Sequence, residues 1–475
     1  MKADQPDFVL IKLRGPAVQA ILEVNKEKYG KYVIEEKGVR VMYMELLKAM
    51  YGTLTAPILW YKLFAATLLE LGFVINDYDA CVANKMVNGH QLTVCWYVDD
   101  LKVSHKCPKV VSSLLLTIEK KFGKMTIKRG NVQTYFGMDI EIVDRKIRIC
   151  MKAYLQECID SFGESLTSNA TTPANKNLME LDDESCKLNT TKRELFHHIV
   201  QKLLHISKRG RLDLQVAIGF LCTRVKEPNV SDWNKLRRTL QYIRGTLDMK
   251  RILSIGNIEL MNIYIDVLHG IHWNQRGQTG GCISMGEGLL HARSTKQGIN
   301  TKSSTETEFV GNSEYLPYAI WLLNFLECQG YTTIKRKLLH QDNESAIKLL
   351  KNGVVSATKK SRHVDIRYFW TTDRIRDLEM EVVYCPTEKM LGDFFTKPLQ
   401  GKLFRLMRDI VQGTKPYSTL MDDKEEQTKR KLEFDEKNIN EEMNDNNMQS
   451  STYRQERVEN VEGKRSGKSV RFDDV

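Results

Sequence analysis

The chain has 475 residues, of which 42% are hydrophobic and 28% charged, with a formal net charge of +11 at pH 7. This composition is typical of a folded soluble protein with room for two or three domains, and the positive charge favours an acidic partner such as nucleic acid. The ten cysteines include no Cys-x-x-Cys pair, which argues against a zinc ribbon or a disulfide scaffold. The chain has no leading signal peptide and no apolar run long enough to cross a membrane, so we expect an intracellular protein that is not secreted.

Short strands and helices alternate in the first third of the chain. Leu46, Leu47 and Met50, followed by Trp60 and Phe64, recur at helical spacing and predict a mostly helical segment over 42–72. The next predicted elements, in chain order, are strands over 79–87, 91–98 and 101–104, a helix over 109–122 and a hairpin over 135–151.

Two adjacent aspartates, Asp99 and Asp100, follow the apolar, β-prone run in "VCWYVDDLKVS". Neighbouring carboxylates repel each other unless solvent or a cation screens them. The pattern predicts a hairpin of strand, Asp-Asp turn and strand. An isolated pair of this kind is more often a polar hairpin tip than a site for a divalent metal, so other parts of the chain must decide.

A polar stretch over 163–192 follows, which we expect to be a loop or linker, and the chain continues as helices over 193–248. Ser231 is the expected N-cap of the last of these helices, and Gly245 its end. A β-rich unit starts at "ELMNIYIDV" and leads to a helix over 304–328, a strand, a helix from Asn343 and a final strand and helix near 380–396. Residues 418–475 contain few apolar side chains and predict a disordered, charged tail.

Four acidic residues occupy distinct places in this second unit. Asp266 lies mid-strand, Glu308 early in a helix, Asp342 at a strand end and Asp393 on the last helix. Each has a plain structural explanation, such as helix capping for Glu308 and Asp342 or an exposed helix charge for Asp393, but Asp266 within a strand is unfavourable without a partner. Four converging carboxylates require cations, and two Mg²⁺ ions would suit phosphodiester hydrolysis.

Seven segments in the same order resemble the reverse transcriptase and ribonuclease H part of copia-type retrotransposon polyproteins, over roughly residues 8–407. They are "LKAMYGTLTAPILWYKLF", "WYVDD", "LRRTLQYIRGT", "STKQGINTKSSTETEFV", "QDNESAI", "SRHVDIRYFW" and "CPTEKMLGDFFTKPLQG". The resemblance implies an α+β protein. Its parts would be a reverse transcriptase palm and fingers over 1–162, a linker and helical thumb or connection over 163–258, a ribonuclease H-like mixed α/β domain over 259–412 and the tail.

The resemblance also assigns roles to residues. Asp99 and Asp100 match the metal-binding pair of the polymerase palm, and Asp266, Glu308, Asp342 and Asp393 match the ribonuclease H metal positions, with Glu306 as the competing choice for Glu308. The implied cofactor is Mg²⁺, with Mn²⁺ as the alternative. The implied partners are an RNA template, a DNA primer, an RNA–DNA hybrid and deoxynucleoside triphosphates, and no membrane.

The sequence departs from the family pattern in three places. A third palm aspartate on an earlier strand has no counterpart, since Asp4 and Asp7 lie in "ADQPDF", so we expect an N-terminally truncated, incomplete polymerase centre. Thr55 and Ile58 stand where the family has Gln and Arg. "DVLHGIHW" replaces the usual run after the first ribonuclease H aspartate.

In "SRHVDIRYFW", His363, Asp365 and Arg367 could contact the hybrid backbone or could form a buried His–Asp pair that organises the helix. Neither role is favoured by the residues themselves.

The leading hypothesis is therefore a copia-type reverse transcriptase fragment whose ribonuclease H centre is the more complete of its two sites. It would reside in cytoplasmic virus-like particles or in the nucleus. The alternative is a catalytically inactive, nucleic-acid-binding remnant of the element.

Overall fold

The computed structural model describes residues 8–50, 52–352 and 365–420, without the side chains of 365–369. Residues up to Thr414 group into one compact unit. Within the described ranges, no helix is both long enough and apolar enough to span a membrane. The predicted domain boundaries inside the unit remain predictions, and the predicted tail lies, from residue 421 on, outside the described residues.

The first sheet is antiparallel, with strand order β1-β3-β2. Its elements are β1 (Leu10–Arg14), α1 (Pro16–Val24), α2 (Lys26–Tyr29), β2 (Val33–Glu36) and β3 (Val39–Glu45). The prediction of helix from residue 42 was wrong over its first part, because the next helix, α3, begins only at Ala56. The segment "VRVMYME" is rich in β-branched and aromatic residues that favour a strand, and Gly52 with a φ of 93° separates it from α3.

The second sheet is an antiparallel meander that carries the Asp99–Asp100 turn. It comprises β4 (Val74–Asn76), β5 (Asp79–Val87), β6 (His90–Tyr97) and β7 (Asp100–Ser104), with α3 (Ala56–Glu70) and α4 (Pro108–Phe122) packed on it. Phe64 of α3, Val94 and Trp96 of β6 and Ile118 of α4 are at most 2% exposed and form its core. The strands and the helix predicted over 79–122 are confirmed.

The third sheet joins the middle of the chain to later residues, in the order β14-β11-β10-β9-β8. Its strands are β8 (Val132–Tyr135), β9 (Met138–Val143), β10 (Lys146–Cys150), β11 (Arg251–Ile255) and β14 (Gly286–Glu287). The hairpin predicted over 135–151 corresponds to β9 and β10. Helix α5 (Lys152–Phe162) follows.

A helical group links the two halves of the unit. It contains α6 (Thr190–Ser207), a short 3₁₀ helix (Leu212–Leu214), α7 (Gln215–Arg224) and α8 (Val230–Arg244). Asn229, not Ser231, caps α8, because its side chain accepts from the Asp232 N–H while the Asp232 carboxylate accepts from the Asn229 N–H. Gly245 ends the helix as predicted.

The predicted loop before these helices has no helix or strand between 163 and 189, yet it is packed rather than extended. Leu166, Leu178 and Met179 are buried, and the Thr172 hydroxyl accepts from the Arg238 guanidinium of α8 at 3.0 Å. The loop therefore contributes to the core beside α8.

The last sheet is mixed, with order β15-β13-β12-β16-β17. Its strands are β12 (Leu260–Leu268), β13 (Gln278–Ser284), β15 (His291–Lys296), β16 (Arg336–Gln341) and β17 (Glu381–Tyr384). Strands β13 and β15 are antiparallel to their neighbours, whereas β16 and β17 run parallel to β12. This arrangement confirms the predicted change from antiparallel strands to alternating helices and strands.

Helices connect and follow these strands, and the long one matches its predicted bounds. They are α9 (Ser304–Cys328), α10 (Glu344–Asn352), α11 (Asp365–Asp377) and α12 (Gly401–Val411), with 3₁₀ helices at Thr387–Lys389 and Leu391–Phe395. The helix expected to end near 396 is thus two short 3₁₀ turns, because Pro386 and Pro398 bracket the segment and Gly392 interrupts it. Asp365 and Arg367 lie on α11, whereas His363 is outside the described residues.

Candidate active site

Strand β12 holds Asp266 near its C-terminal end, two residues before the last residue of the strand, with only 3% of the residue exposed. A carboxylate is costly to bury without hydrogen bonds or a cation. The Thr396 hydroxyl donates to Asp266 Oδ2 at 2.6 Å. Asp266 is therefore held in one orientation from the segment that follows Asp393.

Helix α9 supplies Glu308, which is 6% exposed. The amide of Gln341 donates to Glu308 Oε2 at 2.8 Å. Glu306 instead belongs to the start of the helix, where Ser303 is the N-cap and the Glu306 carboxylate accepts from the Lys302 N–H at 2.7 Å. The structure thus brings Glu308, and not its competitor, to Asp266.

Asp342 follows the last residue of β16, beside the centre of the sheet. Its Oδ2 accepts from the Thr387 hydroxyl at 3.0 Å. One ligand oxygen from each of Asp266, Glu308 and Asp342 lies within 4.8 Å of the others. Three carboxylates, from near the end of β12, from α9 and from the residue after β16, therefore meet at one point.

Asp393 lies beside the three carboxylates because the backbone before it approaches β12 very closely. A Cβ at Gly392 would lie 2.7 Å from the Asp266 Cβ, so only glycine fits there. The Asp393 carboxyl is near enough to Asp266 to be affected by its charge. Lys397 Nζ lies 2.7 Å from Asp393 Oδ1 and brings a cation to the edge of the cluster.

The electrostatics of the cluster are those of crowded, desolvated anions. Burial, and then the charge of Asp266, raises the pKa of Glu308 well above its usual value and raises that of Asp342 as well. The same two causes raise the pKa of Asp393 to about 8, even though Lys397 opposes the shift. A divalent cation would offset this repulsion, and an all-carboxylate donor set suits Mg²⁺, so the residues present fit such an ion.

The other predicted pair, Asp99 and Asp100, is exposed at the end of the second sheet. Tyr97 pairs with Asp100, so Val98 and Asp99 form a two-residue turn. Val98 has a φ of 53°, which is unfavourable for a β-branched residue, and its carbonyl accepts a hydrogen bond from the Trp60 indole.

The same turn opens onto a groove of about 920 Å³ lined by Lys102, Lys128 and Arg129. Within the described residues, Asp99 and Asp100 are not joined by a third residue in a metal-sized group. Asp4 and Asp7 lie outside those residues.

Several supporting side chains escaped the sequence analysis although they stand next to predicted acids. Gln341 directly precedes Asp342, and Thr396 and Lys397 follow Asp393 by three and four residues. The spacing of Thr396 and Lys397 places both about one helical turn from Asp393, and this spacing could have indicated them from the sequence. Thr387 had no such signal, because only the fold brings it to Asp342.

Comparison with known families gives this geometry a context. Residues 24–176 match the family model described as reverse transcriptase (RNA-dependent DNA polymerase). The matched region contains Asp99 and Asp100 and ends before the four-carboxylate cluster. Residues 24–176 are therefore similar to a reverse transcriptase (RNA-dependent DNA polymerase).

Curated relatives are Pol polyproteins of transposons. The chain is 25% identical to that of transposon TNT 1-94 from Nicotiana tabacum, over 86% of this chain and 31% of the relative. It is 24% identical to that of transposon RE2 from Arabidopsis thaliana, over 76% of this chain and 24% of the relative. These matches support a similarity to the reverse transcriptase region of copia-type retrotransposon polyproteins.

The chain spans less than a third of the length of these Pol polyproteins. It covers 87% of the putative transposon Ty5-1 protein of Saccharomyces cerevisiae, at 25% identity. A crystal structure of prototype foamy virus protease-reverse transcriptase aligns with 76% of this chain and 41% of that one, at 13% identity and a TM-score of 0.20, which is too low to establish a shared fold.

Proposed function

We propose that the chain cleaves the RNA strand of RNA–DNA hybrids at the cluster of Asp266, Glu308, Asp342 and Asp393, with Mg²⁺ as cofactor. The observation that carries this proposal is the convergence of three carboxylate oxygens within 4.8 Å in a desolvated site. The reverse transcriptase region in the same chain supports a nucleic-acid substrate, as does the net charge of +11.

Asp266, Glu308, Asp342 and Asp393 would hold the metal ions. Bound Mg²⁺ would activate a water and stabilise the leaving oxygen of a phosphodiester. The protein's own side chains orient the carboxylates: Thr396 fixes Asp266, Gln341 fixes Glu308 and Thr387 fixes Asp342. Such outer hydrogen bonds set which carboxylate oxygen faces the substrate.

Lys397 contributes a cation at the edge of the cluster. Its ammonium lies against Asp393, and burial lowers its pKa less than Asp393, Asp266 and Asp342 raise it, so it stays charged. It can therefore orient a phosphate at the edge of the site while limiting repulsion by the carboxylates.

We further propose that Asp99 and Asp100 are metal-binding carboxylates of an RNA-directed DNA polymerase centre, as the family match supports. Because no third carboxylate joins them within the described residues, we expect weaker primer extension than hybrid cleavage. A primer-extension signal comparable to hybrid cleavage, and lost in Asp99→Asn, would contradict this ranking.

The decisive experiment measures cleavage of a labelled RNA strand in an RNA–DNA hybrid with Mg²⁺, for the wild type and Asp342→Asn. We expect cleavage by the wild type and a loss in the variant, whose circular dichroism should be unchanged. No cleavage by a well-folded wild type that still binds the hybrid would instead support the alternative, a nucleic-acid-binding remnant without catalysis.

A further inference from the structure

The loop between β12 and β13, residues 269–277, contains the second half of the segment "DVLHGIHW" and is held by hydrogen bonds around His272. The His272 ring is 2% exposed, and its Nε2 lies 2.7 Å from Gln278 Oε1. The His272 N–H donates to the Arg276 carbonyl, and the Gln275 N–H donates to the His272 carbonyl. A loop fixed in this way presents its neighbouring side chain in one position.

That neighbour is Trp273, an aromatic side chain with 41% of the residue exposed. Lys296 Nζ lies 3.6 Å from the centre of its ring, and the Arg224 guanidinium lies 5.7 Å from it. Phe220 approaches the ring edge-on at 6.5 Å. The indole thus packs against two cations and an aromatic ring, and part of it faces solvent.

The charged side chains around Trp273 carry a net positive charge. Arg224 is neutralised by Asp232 at 3.0 Å, but neither Lys296 nor Arg276 forms an ion pair with a carboxylate of the described residues. Burial lowers the pKa of Lys296, and the charges of Arg276 and Arg224 lower it further, with no acidic group acting in the opposite direction. The patch formed by Trp273, Lys296 and Arg276 therefore has no negative charge of its own, and a bound anion would supply one.

The patch lies at the same end of the sheet as the carboxylate cluster. Leu268, two residues beyond Asp266, pairs with Gln278, which in turn pairs with Lys296. Two residues of strand span about 7 Å. The next residue, Gln297, donates to the carbonyl of Thr307, the neighbour of Glu308.

We propose that Trp273, Lys296 and Arg276 form a nucleic-acid contact surface that holds the hybrid at the carboxylate cluster. The two cations bind consecutive phosphates, and the indole packs on a sugar or base of the same strand. Unpaired cations bind the phosphates of nucleic acids, and an exposed aromatic ring stacks on their bases or sugars. The inference rests on the proposed function for its substrate, but it concerns binding and not cleavage.

The test measures binding of a fluorescently labelled 20-base-pair RNA–DNA hybrid to the full chain by anisotropy, in EDTA so that no metal-dependent cleavage occurs. The variants are Trp273→Ala, Trp273→Phe and the double variant Lys296→Gln with Arg276→Gln. Lys335→Gln is the matched control, because it removes the same charge at the opposite end of the sheet, where Lys335 is ion-paired with Glu259.

We expect the double variant to lower the slope of log affinity against log salt by about 2, one for each phosphate contact. Trp273→Ala should weaken binding about tenfold and Trp273→Phe less, whereas Lys335→Gln should match the wild type. Wild-type affinity and salt slope in both the double variant and Trp273→Ala, or no binding by the wild type, would overturn the proposal.

The two proposals can fail separately. Variants that weaken binding of a chain that does not cleave would support the surface and count against the hydrolase. Cleavage that is lost in Asp342→Asn, combined with unaltered binding by the patch variants, would support the hydrolase and overturn the surface.

Discussion

The two acidic sites of this chain are built in opposite ways. Asp99 and Asp100 are neighbours in sequence, exposed at the end of a hairpin, and held by a single strained turn. The other four carboxylates come from separate elements, are largely buried, and each is fixed by a hydrogen bond or an ion pair. An exposed pair can rely on water for screening, whereas buried carboxylates repel each other unless a cation or a proton offsets their charge.

Exchanging carboxylates for amides is the most direct test of whether the two acidic sites differ in function. Asp266→Asn and Glu308→Gln should each reduce hybrid cleavage by about 1,000-fold or more, since each removes a charge from a desolvated site. Asp99→Asn should leave cleavage unchanged, and cleavage assays at saturating Mg²⁺ measure all three. A large cleavage defect in Asp99→Asn would mean that the two sites do not act independently.

The sequence predicted those features of the two sites that depend on local residue patterns, and not those that depend on contacts between distant segments. The hairpin pair could be placed from the alternation around "WYVDD" alone, and the strand, helix and strand-end positions of Asp266, Glu308 and Asp342 followed from local patterns. Gly392 and Thr387 could not be predicted, because their importance arises only when two distant segments approach. The error over 42–55 arose because hydrophobic residues at helical spacing also satisfied a strand and a loop.

Acid should affect the sheet that carries the buried cluster. His291 of β15 is largely buried, with its Nδ1 2.9 Å from the Tyr315 hydroxyl, and burial followed by the charges of Arg293, Arg251 and Lys208 lowers its pKa to about 4. A histidine that is harder to protonate when folded stabilises fully above its unfolded pKa of about 6.5, and this stability is lost as the pH falls toward 4.

The expected loss is at most about 3 kcal/mol in the free energy of unfolding between pH 6.5 and 4. Urea unfolding of the wild type and His291→Gln across this range measures it, and the difference between the two curves should shrink as the pH falls. A constant difference would show that His291 titrates normally in the folded chain.

The sheet that carries Asp99 and Asp100 is joined to the C-terminal half of α9, the helix that carries Glu308. The Trp321 indole donates to the Tyr78 carbonyl at 2.8 Å, and the Asn76 amide donates to the Phe325 carbonyl at 3.3 Å. Trp321→Ala should therefore cost about 1–2 kcal/mol and increase amide exchange in β4 and β5 more than in β12. Trp321→Phe, which keeps the ring but not the donor, separates packing from the hydrogen bond. Equal exchange in both sheets would argue against this coupling.

The smallest expected effect concerns the turn itself. Val98 adopts a φ of 53°, and a left-handed β-branched residue costs about 1–2 kcal/mol, so Val98→Gly should raise stability by up to about 1 kcal/mol after the entropy of glycine is subtracted. Asn88, with a φ of 52° in the neighbouring hairpin of the same sheet, is the matched control, since asparagine tolerates this conformation and Asn88→Gly should bring no gain. If Val98→Gly also lowers primer extension, the strain at Val98 positions Asp99 and Asp100. Unchanged extension would mean that the Trp60 hydrogen bond to the Val98 carbonyl is enough to hold the turn.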